Sequence, residues 1–330
     1  MYSIRFDMRA PAFGASTADL YAAAIEMCSW AEQHGCLAAV LCEHHGSPDG
    51  YLPTPMILAS AVAACTEHMP IKVVAVVPLY DPVRLAEEMA VVDIIGNGRV
   101  SYTIGLGYRP EEFEHFGKSV RDRGRIADEN VALLRRLLAG EEVLHEGRHI
   151  VVTPRPVTPG GPPLLWGGGS LAAARRAARY GLGLLANGRV PGMAEAYEAA
   201  CRERGSEPGP TLLPYRDTPS VCFVADDGDQ AWEELGPHLL HDARAYAEWN
   251  QGNETSAGIS DAQTVDELRA TSRSHRVFSV ADAVEWLCRG EMLNLSPLCG
   301  GLLPDIAWPY LRRVAETVLP EVAMASTTKA

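Results

Sequence analysis

The chain is 330 residues long, 47% hydrophobic and 22% charged, enough for one large α/β domain or two ordinary ones with a sizeable core. Asp and Glu number 42 against 29 Lys and Arg, and the net charge of -13 argues against non-specific binding to nucleic acid or to acidic membranes. The eight cysteines form no C-x-x-C pair and no zinc-like spacing, no apolar run reaches the ~18 residues of a membrane span, and no signal peptide is read, so the sequence predicts a cytoplasmic protein with reduced thiols and no metal centre.

An alternating strand, Tyr2 to Met8, opens the chain. Ser16 or Thr17 caps a helix carrying Leu20, Ala23, Ala24, Met27, Trp30 and Ala31 on its apolar positions, and Gly35 ends it. Strand two, Ala38 to Cys42, runs straight into Glu43-His44-His45, and Thr54-Pro55 starts a helix to about His68. Strand three spans Ile71 to Val77, and Asp81-Pro82 opens the next helix. Strand four, Arg99 to Ile104, closes on Gly105-Leu106-Gly107 and precedes a helix from Arg121 to Leu138. Val143–His145 and His149–Val152 predict a small hairpin, and a Pro/Gly-rich connector follows from Pro154 to Pro163.

Strand five, Leu164 to Trp166, enters Gly167-Gly168-Gly169-Ser170 and a helix from Leu171 to Tyr180. Strand six (Leu182–Ala186), a helix (Pro191–Arg204), strand seven (Ser220–Ala225) and a helix from Asp229 to about Trp249 come next. Residues 250–274 read as an insertion with some helix around Val265 to Ala270. A helix (Val280–Arg289), strand eight (Met292–Leu295) and a closing helix (Asp305–Val318) complete a single domain over residues 1–322, and residues 323–330 read as a disordered tail. Eight strand–helix units predict an α/β chain, a (β/α)8 TIM barrel with insertions, with a doubly wound sheet as the alternative.

In a parallel barrel the carboxyl ends of the strands form one mouth. The candidates there are Asp7 and Arg9, Glu43, His44 and His45, Pro78 and Tyr80, Tyr108 and Arg109, Gly167 to Ser170, and Asn187 and Arg189. A neutral imidazole suits proton transfer or a hydrogen bond to a cofactor. Adjacent strand residues point opposite ways, so one of His44 and His45 faces the mouth and the other packs. The glycine run suits an anion at a helix N-terminus, or simply a tight turn with a Ser N-cap. Arg109 can hold a phosphate or carboxylate, or pair with Glu111, Glu112 or Glu114.

Glu43-His44-His45, Asp81 to Glu87, Asp93 through Arg99, Gly105 to Phe113 with Phe116-Gly117, Gly167 to Ser170 before Ala177 to Gly181, and Val318-Leu319-Pro320 together resemble the bacterial luciferase-like flavin monooxygenase family, in the family's order. The resemblance implies a barrel with a late insertion and a flavin ring in its mouth. It implies oxygenation of a small or medium organic substrate by reduced FMN and O2, with a separate flavin reductase and a homodimeric assembly. The deazaflavin coenzyme with hydride transfer, or a non-catalytic flavin-binding subunit, are the other implied readings. His44 matches the family's functional histidine; Val74 and Ala75 match the segment under the ring; and Gly168, Gly169 and Ser170 match the phosphate turn, with His45 as a second catalytic candidate and Gly167 as a further cofactor-binding one. Glu43, Tyr108 and Arg109 complete the expected cofactor-binding set. Leu106 stands where the luciferases carry a phosphate-binding arginine, with Arg109 three positions on, so light emission is not implied.

Overall fold

In the computed structural model, residues 1–186, 188, 190–213, 218–250, 259–271 and 273–327 are described. In chain order they form β1 (Tyr2–Phe6), α1 (Thr17–Glu32), β2 (Cys36–Leu41), α2 (Pro55–Cys65), β3 (Ile71–Val76), α3 (Pro82–Ile95), β4 (Val100–Gly105), α4 (Pro110–His115) and α5 (Arg123–Leu138). The hairpin β5 (Val143–His145) and β6 (Arg148–Ile150) follows, then β7 (Leu164–Gly167), α6 (Leu171–Arg179), β8 (Gly183–Leu185), α7 (Met193–Glu203) and β9 (Thr211–Leu212). Last come β10 (Val221–Ala225), α8 (Gly228–Trp249), α9 (Val265–Thr271), β11 (His275–Ser279), α10 (Val280–Cys288), β12 (Leu293–Leu295), α11 (Pro304–Arg313) and α12 (Leu319–Thr327).

Contacts divide the chain into two compact units, one of Met1–Val40, Ser47–Leu52 and Tyr215–Ala330, the other of Leu41–Gly46 and Pro53–Pro214. In the first, strands run in the order β11-β10-β12-β1-β2. β10 pairs in parallel with β11 from Val221↔His275 to Ala225↔Ser279, and β1 with β12 from Tyr2↔Leu293. In the second, the order is β3-β4-β7-β8-β9, again parallel, with Ile71↔Val100 through Val76↔Gly105 and Ile104↔Trp166 in register.

The second unit shows why these segments fold as they do. β3 and β4 bury Ile71, Val73, Ala75, Val100, Tyr102 and Ile104, and α3 buries Leu85 and Met89, each large aliphatic side chain contributing roughly 1.5–3 kcal/mol. α3 starts where Pro82 supplies a fixed φ and the Asp81 carboxylate accepts from the Val83 and Arg84 N–H groups at 2.9 and 3.0 Å. Buried Asp93, near the end of the same helix, accepts from the Thr158 N–H and hydroxyl, both at 2.8 Å, and so fastens the Pro/Gly-rich connector.

Four local features differ from the sequence expectation. β11 falls where no strand is read, because Arg276 and Ser279 break its apolar run; His275 and Phe278 are the residues it buries. β9 is only two residues long and carries no periodicity. α4 lies where the sequence reads as loop, although Pro110 at its start and Glu111 and Glu112 in its first turn favour a helix N-terminus. Of the tail expected from Ala323, residues 323–327 lie inside α12, where Ala323, Met324 and Ala325 are good helix formers, and residues 328–330 lie outside the described residues.

Candidate active site

The second unit contains a cluster built around the end of β2. Beyond Leu41 the chain leaves the strand, and Gly46 takes a φ of 60°; a Cβ there would lie 3.0 Å from the His115 ring. Between them, Glu43, His44 and His45 are held by side chains from the segments after β3 and β4.

Glu43 is buried and both its oxygens are engaged. Oε2 accepts the Val76 N–H at 2.5 Å, where β3 gives way to a short 3-10 turn; Oε1 accepts the Tyr80 hydroxyl and lies 3.0 Å from His45 Nε2. The backbone donor of Val76 thereby finds a partner that the ladder no longer offers. Burial, and then the Glu43 carboxylate, push the Tyr80 phenol far above its ordinary range. The turn carrying Tyr80 is strapped from outside: Asn130 donates to the Val77 and Tyr80 carbonyls at 3.1 and 3.2 Å, and Lys118 Nζ to the Pro78 carbonyl at 2.5 Å. Burial lowers the Lys118 pKa.

His44 belongs to a different carboxylate. Its Nδ1 lies 2.7 Å from Glu112 Oε1, and its Nε2 lies 3.2 Å from the Tyr108 hydroxyl, whose ring meets the imidazole edge-on at 5.4 Å. Glu112 projects from α4 and is fully buried. The same Oε1 accepts the His45 N–H at 2.9 Å and Arg109 Nη1 at 3.1 Å, while Arg109 Nη1 also reaches the His45 carbonyl at 2.9 Å. Burial opposes ionisation of Glu112, but the bonds from His44 and from the His45 N–H, with the Arg109 guanidinium, outweigh it and hold the carboxyl below the ordinary range. An ionised Glu112 takes a proton on His44 Nδ1, so in the neutral ring Nε2 is the acceptor and Tyr108 the donor.

Each adjacent histidine therefore has its own carboxylate and tyrosine: Glu112–His44–Tyr108 and Tyr80–Glu43–His45. The His45 ring also packs edge-on against Phe116 at 4.8 Å. Of the partners expected for Arg109, Glu112 makes the ion pair at 3.1 Å. Glu112 as the carboxylate behind His44 escaped the sequence, where it is one of three acids in a row of four; the Pro110 helix start that buries it with Phe113 was the available signal.

The other expected residues fall as follows. Val74 and Ala75 are neighbours in β3 and face opposite ways; Ala75 is wholly buried and Val74 half-buried. Gly167 ends β7, and the Gly168 N–H donates to the Leu185 carbonyl at 3.0 Å. Ser170 caps α6 by accepting the Ala173 N–H at 3.2 Å. Gly169 and Ser170 are exposed, and a Cβ on Gly169 would meet nothing within 4 Å, which leaves the backbone at this helix N-terminus open to a phosphate. That opening, with the half-exposed Tyr108 beside His44, fits a phosphorylated flavin. Asn187 and Arg189 lie outside the described residues.

Asp7 and Arg9 lie in the first unit, in a second polar cluster. Arg9 is fully buried; it bonds Asp242 at 3.2 Å and Asp49 at 2.5 Å, and the rings of Trp249, Tyr51 and Tyr246 surround its guanidinium at 4.3, 4.9 and 5.2 Å. Met8 between them has a left-handed φ of 61°. His275 Nε2 lies 2.9 Å from Asp242 and His241 Nε2 lies 2.8 Å from Asp49. Burial and the nearby Asp242 raise the Asp7 pKa to about 6; burial opposes ionisation of Asp242 too, but His275 and Arg9 hold it far below the usual range. Asp242, His275 and Cys299 bring ligand-type atoms within 4.8 Å of one another, yet Arg9 and Arg5 both approach Asp242, and a cation placed there would meet two guanidinium groups.

The chain belongs to the luciferase-like monooxygenase family, which it matches over residues 4–285. Over 125 residues it is 31% identical to the oxygenase component of the flavin-dependent trigonelline monooxygenase of Acinetobacter baylyi, covering 37% of this chain and 35% of that protein. The chain spans less than half the length of the curated relatives it matches. Its fold is similar to the monooxygenase RslO1 of Streptomyces bottropensis, at a TM-score of 0.77 and 25% identity over 97% of this chain and 99% of that one. It is also similar to the oxygenating constituent of 3,6-diketocamphane monooxygenase of Pseudomonas putida, solved with FMN, at a TM-score of 0.71 and 18% identity over 97% and 98% of the two chains. The fold is thus the luciferase-like α/β fold. No described helix is long and apolar enough to cross a membrane.

Proposed function

We propose that this protein is the oxygenase component of a two-component system, using reduced FMN and O2 to oxygenate a small or medium organic molecule. The observation that carries the reading is His44, held between the ionised Glu112 and the half-exposed Tyr108. When bound, the reduced flavin supplies the electrons and the centre at which O2 is activated. Gly169 and Ser170 would hold the FMN phosphate at the start of α6, with Gly167 and Gly168 shaping the turn, and Val74 would line the ring. His44 holds or moves the proton at Nε2, with Glu112 fixing the ring and stabilising its charged form. Glu43 acts indirectly, by tying His45 and Tyr80 to the end of β3. His45 is a positioning residue in this reading, since its Nε2 is bound to Glu43.

A separate reductase supplies the reduced flavin, because no NAD(P)H fingerprint occurs in the chain. The protein acts in the cytoplasm as a homodimer. Anaerobic titration with reduced FMN and with the reduced deazaflavin coenzyme, followed by oxygen and product analysis, tests the proposal. Retention of reduced FMN and oxygen-dependent product are expected; binding of the deazaflavin alone moves the protein to hydride transfer, and binding of neither removes the catalytic reading.

A further inference from the structure

We infer that Tyr108, rather than His44, is the residue that exchanges the proton with the bound reactants, and that His44 and Glu112 act through it. The inference rests on the oxygenase reading above and assigns a catalytic role to a residue that the family likeness leaves as part of the cofactor's surroundings. His44 Nε2 lies 3.2 Å from the Tyr108 hydroxyl, and the tyrosine ring stands edge-on to the imidazole at 5.4 Å. Tyr108 is 37% exposed and His44 only 8%. A reactant approaching this cluster therefore meets the phenol before it meets the imidazole.

The neighbouring phenol sharpens the assignment. Tyr80 donates to the Glu43 carboxylate, and burial with that carboxylate pushes its phenol far up, so Tyr80 keeps its proton and serves as a fixed donor. Tyr108 is bonded to a basic ring nitrogen, which can take its proton or replace it. Chain geometry favours the same division. Tyr108 follows Gly107, whose φ of 71° and close approach to Val76 (a Cβ would lie 2.6 Å from Val76 Cγ1) fix where the phenol leaves the end of β4.

The proton step balances without a further reactant. With His44 as imidazolium, the Tyr108 O–H bond breaks as its proton passes to an oxygen of the bound reactants. The His44 Nε2–H bond breaks as that proton restores the phenol. The ring becomes neutral and keeps Nδ1–H on Glu112. Solvent then reprotonates Nε2 through the Tyr108 hydroxyl, and the reverse sequence withdraws a proton from a reactant.

Tyr108→Phe keeps the ring and removes the hydroxyl, and four measurements on the full chain test the inference. Oxygenation should slow about 100-fold, the Kd for reduced FMN should stay within about twofold, and one limb of the pH–rate profile should vanish. The Tyr108→Phe, His44→Ala double variant should be no slower than His44→Ala alone, because the two act as one unit. Without any cofactor, the ring Cζ carbon NMR signal of Tyr108 should shift on His44→Gln and not on His45→Gln. Tyr108→Phe turning over within threefold of the parent with an unchanged pH profile overturns the inference, as does a Tyr108 signal indifferent to His44. Should the parent oxygenate nothing with reduced FMN, the oxygenase reading fails on its own, and the cofactor-free signal still decides the Tyr108–His44 link.

Discussion

Two polar clusters sit beyond the ends of parallel strands, one in each unit, and they dispose of their charges in opposite ways. Around Arg9 the charged centre is sealed: the guanidinium, Asp242 and His275 are all buried, three aromatic rings close the guanidinium in, and the Asp49–His241 pair leads outward from it. Around His44 the charge is relayed outward, from buried Glu112 through the ring to a tyrosine that is half-exposed. Polar side chains after a strand thus do not by themselves make a reaction site. What separates the two is whether the central group is enclosed by aromatic rings, as Arg9 is, or bonded to an exposed phenol, as His44 is.

Substitutions should separate stability from activity along that line. Arg9→Ala has the largest expected effect on the fold, since it strands Asp7, Asp49 and Asp242 together, and urea unfolding should show a loss of about 3–5 kcal/mol. His44→Ala leaves Glu112 with Arg109 and the His45 N–H, so unfolding should change little while turnover falls about 10²–10⁴-fold with reduced-FMN affinity largely kept. Equal losses of stability in both variants would erase the distinction between the clusters.

The pH dependence is predicted with opposite signs inside the Arg9 cluster. The folded Asp7 binds its proton more tightly than the unfolded chain does, with a pKa of about 6 against the ordinary 3.8, so stability should fall as pH rises across that window, by at most about 3 kcal/mol. Asp242 and Asp49 are held down, so their contribution is present above the ordinary carboxylate pKa and is lost in stronger acid. Unfolding midpoints from pH 3 to 8 (a range of about five units chosen to bracket these groups) should therefore flatten on the neutral side in Asp7→Asn. Tyr80→Phe, which removes one charge-assisted donor to Glu43, should cost about 1–2 kcal/mol, read by thermal unfolding. Gly169→Ala is expected to leave stability within about 0.5 kcal/mol and to weaken FMN but not riboflavin binding, because only the phosphate needs that backbone.

Much of this was legible in the chain. Apolar runs such as Val73 to Val77 mark buried parallel strands, and Asp81-Pro82 and Ser170 mark helix starts that the structure keeps. Glu43, His44, His45, Tyr108 and Arg109 do come together, because each follows the end of a strand and all lie in the second unit. Their pairing was not legible. Which carboxylate faces which imidazole depends on the rotation of a six-residue helix, α4, too short for any apolar period to announce. Asp7 and Arg9 carried the same kind of signal as His44, and the enclosing rings of Tyr51, Tyr246 and Trp249, distant in sequence, show that the guanidinium at the centre of this second cluster is shut in.

Glu112 Oε1 has a consequence for how the site moves. One oxygen atom holds a ring nitrogen, a backbone N–H and a guanidinium at 2.7, 2.9 and 3.1 Å. A proton gained or lost on the ring changes the pull on that oxygen, and the peptide linking His44 to His45 is fastened to the same atom. Charge and chain path are here a single mechanical variable: each protonation event on His44 is also a tug on the peptide between His44 and His45, passed through the shared oxygen to Arg109 and, through its grip on the His45 carbonyl, back again.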